Sequence, residues 1–407
     1  MPIEISRLVY GYAAFHSIRL LNGSFHVVFL LLNGISIPQI AVLQIVYAAS
    51  VVLFEFPLGL IGDRIGKKPM VVFSCVCMAF FFITLSISTN FIVLIGVEIV
   101  FALGLASISG SFEGWVQDIC NFYKIDFTKI AYNWTFYFGL LGVIFALIGY
   151  IIASLITDLS IVYLIIGALF LLPMLLFLIT PSDFLRVKSN KNQNSVSYHF
   201  KSLKICFSQP RYLRYLSITV VLTCLMQIIF HFWQPLSLAS AYPNQDLSYE
   251  IVPILAIIFC SSLLIQLTIG QLGKSAKFKM DGKRISITLL GVSAILFALS
   301  PLARSLVIGP LFVAASFAFC LSVPAAVHPF IRGEFGKFVP QSSYATVFSF
   351  TELVGRVMSI AFLTAIAVIP ERQFLDNYRI AISFLLIVLL LQVVNFGVLD
   401  KGENNDE

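Results

Sequence analysis

The chain reads as an all-α integral membrane protein of twelve transmembrane helices in two six-helix, pseudo-symmetric halves. Three observations predict this. Of its 407 residues 59% are hydrophobic and 11% charged, with a mean hydropathy of +0.96, a balance that no soluble globular domain of this size needs. Stretches of the roughly 20 apolar residues that cross a bilayer follow one another almost end to end. The basic residues gather in every second connection, the asymmetry of a multi-pass chain whose positive loops stay inside.

The first six helices are expected at 8–32, 39–61, 70–88, 91–117, 129–156 and 160–180. The connections at 33–38, 88–90 and 157–159 are too short for anything but tight antiparallel hairpins. The longest polar stretch, 181–211, then divides the chain. Six more helices follow at 212–239, 249–273, 284–302, 305–331, 343–369 and 376–399. The expected organisation is a bundle over 1–180, a cytoplasmic central loop over 181–211, a bundle over 212–399 and an acidic cytoplasmic tail over 400–407.

Arg64, Lys67, Lys68, Lys124, Lys129, the seven cations from Arg186 to Arg214, the five from Lys274 to Arg284, Arg332 and Lys337 all fall on one face of a twelve-helix protein. The opposite face has Arg304, Arg372 and Arg379. Both termini and the central loop are therefore expected in the cytoplasm. This placement accounts for the net charge of +6 without nucleic acid as a partner. Met1–Arg7 offers no cleavable leader, so the first helix is expected to stay as an anchor.

The seven cysteines lie mostly inside apolar segments without paired ligand spacing, so they read as small apolar fillers and no metal site is expected. There is no G-x-x-x-x-G-K-[ST] loop and no nucleophile elbow. An enzyme or an ATP-driven pump is not expected. No cofactor is implied, and a proton gradient is the expected energy source.

Between the second and third helices, residues 54–70 read FEFPLGLIGDRIGKKPM. Gly59-x-x-x-Asp63-Arg64-x-Gly66-Lys67-Lys68, with Gly62 inside it, resembles the helix 2–3 loop signature of the major facilitator superfamily of secondary transporters. Gly270-Gln-Leu-Gly273-Lys274, running on to Lys283 and Arg284, is a degraded second copy after helix 8. Parallel repeated halves are the architecture of that superfamily. The resemblance implies a loop that latches the halves together on the cytoplasmic side. Asp63 is expected near the start of helix 11, around Pro340–Ser343, where unpaired N–H groups and the helix dipole favour a carboxylate by about 0.3–1 kcal/mol. Arg64 is expected to pair with Asp118 at the end of helix 4.

Ionisable groups at membrane depth are costly, so each is a candidate site. His16, Arg19, Gly23 and His26 are spaced to form one polar stripe on helix 1, with Arg19 near the midplane. Arg19 either serves substrate or coupling, which is the reading preferred, or holds a carboxylate of helix 2 or 4. Glu55, two residues before Pro57, is expected at the depth of His16 as a proton-coupling acid or a packing acid. Its F-E-x-P-x-G string is similar to that of the drug and multidrug exporter branch. Helix 4 offers Glu98 and Glu113. The arginine that many proton antiporters carry on this helix is missing, and helix 5 lacks their glycine-proline pair. His231 and Trp233 stand near the end of helix 7, where a membrane-interface belt is the simpler reading. Pro324, His328 and Pro329 predict a kink in helix 10. Glu352 and Arg356 form an i, i+4 pair that most simply neutralises itself. Phe15, Phe112 and Phe230 are candidates for a greasy cavity wall.

The preferred function is proton-coupled efflux of a hydrophobic or amphipathic compound by alternating access, the substrate being a drug, an antibiotic or a peptide antibiotic. The alternative is proton-linked uptake or facilitated transport of a small anionic or polar solute. A non-transporting receptor or scaffold is a remote third. The expected partners are that substrate and the lipid bilayer, the chain acting as a monomer. An Ile-, Phe-, Asn- and Lys-rich usage points to a bacterial cytoplasmic (inner) membrane and to antibiotic resistance or self-immunity.

Overall fold

The computed structural model describes residues 2–125, 127–156, 158–181, 207–241, 252–274, 282–303, 309–338, 344–367 and 371–395. Every element among them is helical. In chain order they are α1 (Ile3–Ile18), a 3-10 turn (Arg19–Asn22), α2 (His26–Leu32), α3 (Ile37–Ile65), α4 (Lys67–Ile87), α5 (Phe91–Tyr123), α6 (Phe127–Leu155), α7 (Ser160–Leu169) and α8 (Leu171–Ile179). Then come α9 (Pro210–Ala241), α10 (Val252–Lys274), α11 (Gly282–Ala303), α12 (Gly309–Phe338), α13 (Tyr344–Ala367) and α14 (Glu371–Asn395).

Seven of the described spans are long and apolar enough to cross a membrane, or eight if Ile3–Asn22 and His26–Leu32 form one bent span. Four shorter apolar helices lie at Pro253–Ile269, Arg284–Ser300, Leu353–Ala365 and Ile380–Asn395. Each apolar stretch expected from the sequence holds helix. The protein is an all-helical, multi-pass membrane protein. Phe80, Ile92, Leu155, Ile295 and Leu311 stay exposed, as helix faces turned to hydrocarbon should.

Local sequence explains the element ends. Ser36 caps α3: its hydroxyl accepts from Gln39 N–H while the Gln39 side chain accepts from Ser36 N–H, and Pro38 sits in the first turn. Asn90 accepts from Ile92 N–H at the start of α5, and Asp158 from Ser160 N–H before α7. The expected single helix over 160–180 is broken at Phe170. Pro173 explains this, since its ring has no N–H and crowds the carbonyl of Leu169, four residues back.

The chain divides into two compact units. One comprises 1–187 with 246–263, the other 188–245 with 264–407. The sequence boundaries assign 246–263 to the second bundle, whereas the packing groups it with the first. Of the expected central loop over 181–211, residues 182–206 lie outside the described residues, as does the expected tail over 400–407.

Two expectations about helix continuity are corrected. Helix 1 is not one rod: it passes through the 3-10 turn and bends by 41° before α2. The signature loop is not a turn either. Gly59, Gly62, Asp63 and Arg64 are all helical within α3, which runs four residues past its expected end. Only Gly66 leaves the helix, at φ 105° and ψ 154°. The helix continues past Pro57 to Gly66, and only glycine takes that backbone without penalty.

Candidate functional site

Two polar constellations stand out, both in the first unit. One lies at the break in helix 1. Arg19 opens the 3-10 turn, and its Nη2 donates to His16 Nδ1 at 2.9 Å. Arg19 Nε and His16 Nε2 are buried and have no hydrogen-bond partner among the described residues. The phenols of Tyr12 and Tyr47 lie within electrostatic reach of Arg19. Around His16 the walls are aromatic. Tyr12 is 4.3 Å away between ring centroids, Phe15 5.1 Å and Phe138 6.1 Å. Tyr12 also stacks on Phe112 of α5 at 4.1 Å.

Helix α6 packs directly against the break. Gly149 of α6 faces it so closely that a Cβ there would overlap the Leu21 carbonyl. A Cβ on Gly142 would lie 2.9 Å from Leu20 Cδ1. Beyond the break, His26 Nδ1 receives Asn22 Nδ2 at 3.3 Å and lies 2.9 Å from the Tyr163 hydroxyl of α7. His16 and His26 therefore serve different neighbours, and the expected continuous stripe is corrected. The 3-10 turn runs at three residues per turn, and Phe25, at φ −137°, is not helical. Together they shift the register between Arg19 and His26.

The other constellation is the signature segment against α5. Lys67 Nζ donates to Asp118 Oδ2 at 2.7 Å and to the Gly114 carbonyl at 3.0 Å. Gly114 leaves room for this chain, since a Cβ there would sit 3.0 Å from Lys67 Cε. Lys68 Nζ donates to the Leu178 and Thr180 carbonyls at 2.7 and 2.8 Å. It thereby satisfies carbonyls at the C-terminus of α8, where the helix dipole favours a cation. Asp118, expected to pair with Arg64, is bound by Lys67 among the described side chains. Gly66 turns the chain so that α4 begins at Lys67, which places that side chain on α5. The side chains of Asp63 and Arg64, and the segment Pro340–Ser343, lie outside the described residues.

The remaining candidates are dispersed. Glu98 is buried near the start of α5, and no cation or hydrogen bond reaches it among the described residues. Glu55 is half-buried in α3, and no bond joins it to His16 among the described residues. The single ion pair among the described residues is Lys67–Asp118, so neither acid holds Arg19. Trp233 is 2% exposed, which corrects the interface-belt reading: it packs in the core of the second unit, while His231 is half-buried. Arg356 is half-buried in α13. The side chains of Glu113, Glu352 and His328 lie outside the described residues. Phe15 and Phe112 are fully buried and Phe230 is 38% exposed. Phe230 joins Leu225, Met226, Ile229, Cys320, Leu321 and Pro324 around a small apolar depression in the second unit. The six described cysteines are free thiols.

A sequence profile of the Major Facilitator Superfamily matches residues 12–369. The chain belongs to the major facilitator superfamily. A relative in this superfamily, the uncharacterized MFS-type transporter YxaM of Bacillus subtilis (strain 168), is 26% identical over 386 residues, covering 90% of this chain and 89% of that protein. The fold is similar to the crystal structure of nucleoside transporter NupG, with a TM-score of 0.68 at 13% identity over 98% of this chain and 100% of that one. It is similar also to a D-xylose-proton symporter, at 0.70 and 12% identity over 97% of each chain. Superfamily membership makes the protein a membrane transporter and not an enzyme.

Superfamily membership also gives the two lysines a context that sequence reasoning missed. The signature motif was legible, but which of its cations faces α5 depends on the φ of Gly66. The close approach of Gly149 to Leu21 was missed as well. Its signal was the Gly142 and Gly149 spacing, which places small residues on one face of α6.

Proposed function

We propose that this protein is a proton-coupled secondary transporter that exports a hydrophobic or amphipathic compound by alternating access. The observation that carries this reading is the break in helix 1. It sets Arg19 and His16 inside an apolar span, among Tyr12, Phe15, Phe112 and Phe138. Broken helices at the midplane are where secondary transporters hold their cargo. A greasy, aromatic wall with one cation suits a solute with an apolar body. The string around Glu55 supports export, and Glu98 and Glu55 are the acids placed to carry a proton. The bacterial inner membrane, cytoplasmic termini and a monomeric state belong to the same reading, with the halves at 1–180 and 212–399 moving about the site.

A second reading, uptake of a small anionic or polar solute, is favoured by Arg19 having no carboxylate partner among the described residues. Inside-out vesicles separate the two. An imposed proton gradient, acid inside, should drive accumulation of a fluorescent amphipathic dye in vesicles holding the protein. Accumulation that persists after the gradient is collapsed, or its absence for every dye tried, would contradict proton-coupled export.

A further inference from the structure

We infer that the break in helix 1 receives an oxyanion: His16 Nε2–H and Arg19 Nε–H together bind the carboxylate, sulfonate or phosphate of a solute with an aromatic body. The inference deepens the export reading and rests on it for the claim that the bound solute is carried.

The argument starts from the hydrogen bond between the two residues. Guanidinium has five N–H donors and no acceptor. In the 2.9 Å contact with Arg19 Nη2, His16 Nδ1 must therefore accept. The imidazole then carries its proton on Nε2. That donor and Arg19 Nε–H are buried and have no acceptor. Each such orphan costs about 1–3 kcal/mol, and a charged one more. Native structures seldom leave two adjacent donors in that condition without a purpose.

Charge leads to the same place. Arg19 carries a full positive charge at membrane depth, where an unpaired ion is costly. Among the described residues, the phenols of Tyr12 and Tyr47, neutral donors and acceptors, lie near that charge. Ser17, two residues before Arg19, already donates to the Phe138 carbonyl at 3.1 Å. Among the described residues no carboxylate pairs with Arg19, and an oxyanion would supply both the negative charge and the oxygen lone pairs. Its body is set by the walls. Tyr12, Phe15 and Phe138 surround His16, and stacked or edge-on rings at these distances accept another ring favourably. A bare inorganic anion would leave that surface unused.

The test uses the purified full chain in lipid nanodiscs, with thermal unfolding as the readout and benzoate, benzenesulfonate, phenyl phosphate and the neutral benzamide as probes. A ligand that binds the folded state raises the midpoint. At least one oxyanion should raise it while benzamide does not. His16→Phe keeps an aromatic ring but loses Nε2–H, and should weaken the apparent affinity about tenfold, roughly what one charge-assisted bond contributes. Arg19→Gln should abolish the shift. If Arg19→Gln does not fold, His16→Phe still decides. The proposal is overturned if no oxyanion shifts the midpoint, if benzamide shifts it equally, or if the shift is unchanged in His16→Phe. Flux of the same labelled probe in proteoliposomes separates the two claims. Anion binding without flux sinks the transport reading and leaves the site standing. Dye export without anion binding sinks the site and leaves transport standing.

Discussion

Asp118 shows how one residue's partner changes the meaning of a motif. The pair with Lys67 is about a third exposed on each side, at 31% and 32%, so it contributes at most about 1 kcal/mol. The second bond, to the Gly114 carbonyl, makes the contact bidentate in function if not in name. A double-mutant cycle of Lys67→Ala and Asp118→Ala should give a coupling of about 0.5–1 kcal/mol in thermal stability. The cycle of Arg64→Ala with Asp118→Ala reports separately on the motif arginine. Coupling in the second cycle alone would mean that the motif arginine is the true partner. Glu98 offers a different test. No described group holds its carboxylate, so Glu98→Gln should leave the unfolding midpoint within about 0.5 kcal/mol of wild type. Loss of proton-driven flux in that folded variant would assign Glu98 to proton handling, whereas unchanged flux would reduce it to a packing residue.

At the scale of elements, the break in helix 1 is built by its neighbour. Gly149→Ala would drive a methyl into the Leu21 carbonyl, and should cost about 1–3 kcal/mol or more through overpacking against backbone that cannot yield. Gly59→Ala is the contrasting case. Nothing lies within 4 Å of a Cβ at Gly59, and alanine is the better helix former by about 0.5–1 kcal/mol. Its expected effect is a midpoint equal to or above wild type. The reverse ranking of these two variants in a thermal scan would show that α6 does not hold the 3-10 turn.

The same elements show how much was legible beforehand. Hydropathy alone located each helical stretch, because a membrane span needs length and apolarity and little else. The S-I-P-Q start of α3 and the Asn90 cap are local rules that any sequence displays. The bend at Arg19–Phe25 was not legible. Gly23 and Asn22 are compatible with a straight membrane helix, and the turn is fixed by contact with α6. For the same reason the polar residues could be named while their grouping could not. His16 with Arg19 follows from i, i+3 spacing, but His26 with Tyr163 requires α7 to be in place. The Lys67–Asp118 pair required the single-residue turn at Gly66.

In the molecule as a whole, a superfamily fold carries one broken helix with a half-buried cation and a signature segment pinned by two lysines. Lys67 and Lys68 fasten the start of α4 to α5 and to the end of α8. We read this as rigidifying the first unit, so that it moves as a body during transport. The proposed orientation rests on the loop charges: a reporter fused after residue 407 should be active in the cytoplasm, and a periplasmic signal would reverse the assignment of faces. The central claim is that the chain couples proton movement to passage of a solute through the helix-1 break. The most direct measurement is proton flux in proteoliposomes loaded with a pH-sensitive dye and challenged with a panel of amphipathic aromatic compounds. The account predicts that at least one compound moves protons through the wild-type protein and that Arg19→Gln, though folded, does not respond. Solute-driven proton flux of equal size in wild type and Arg19→Gln would contradict it.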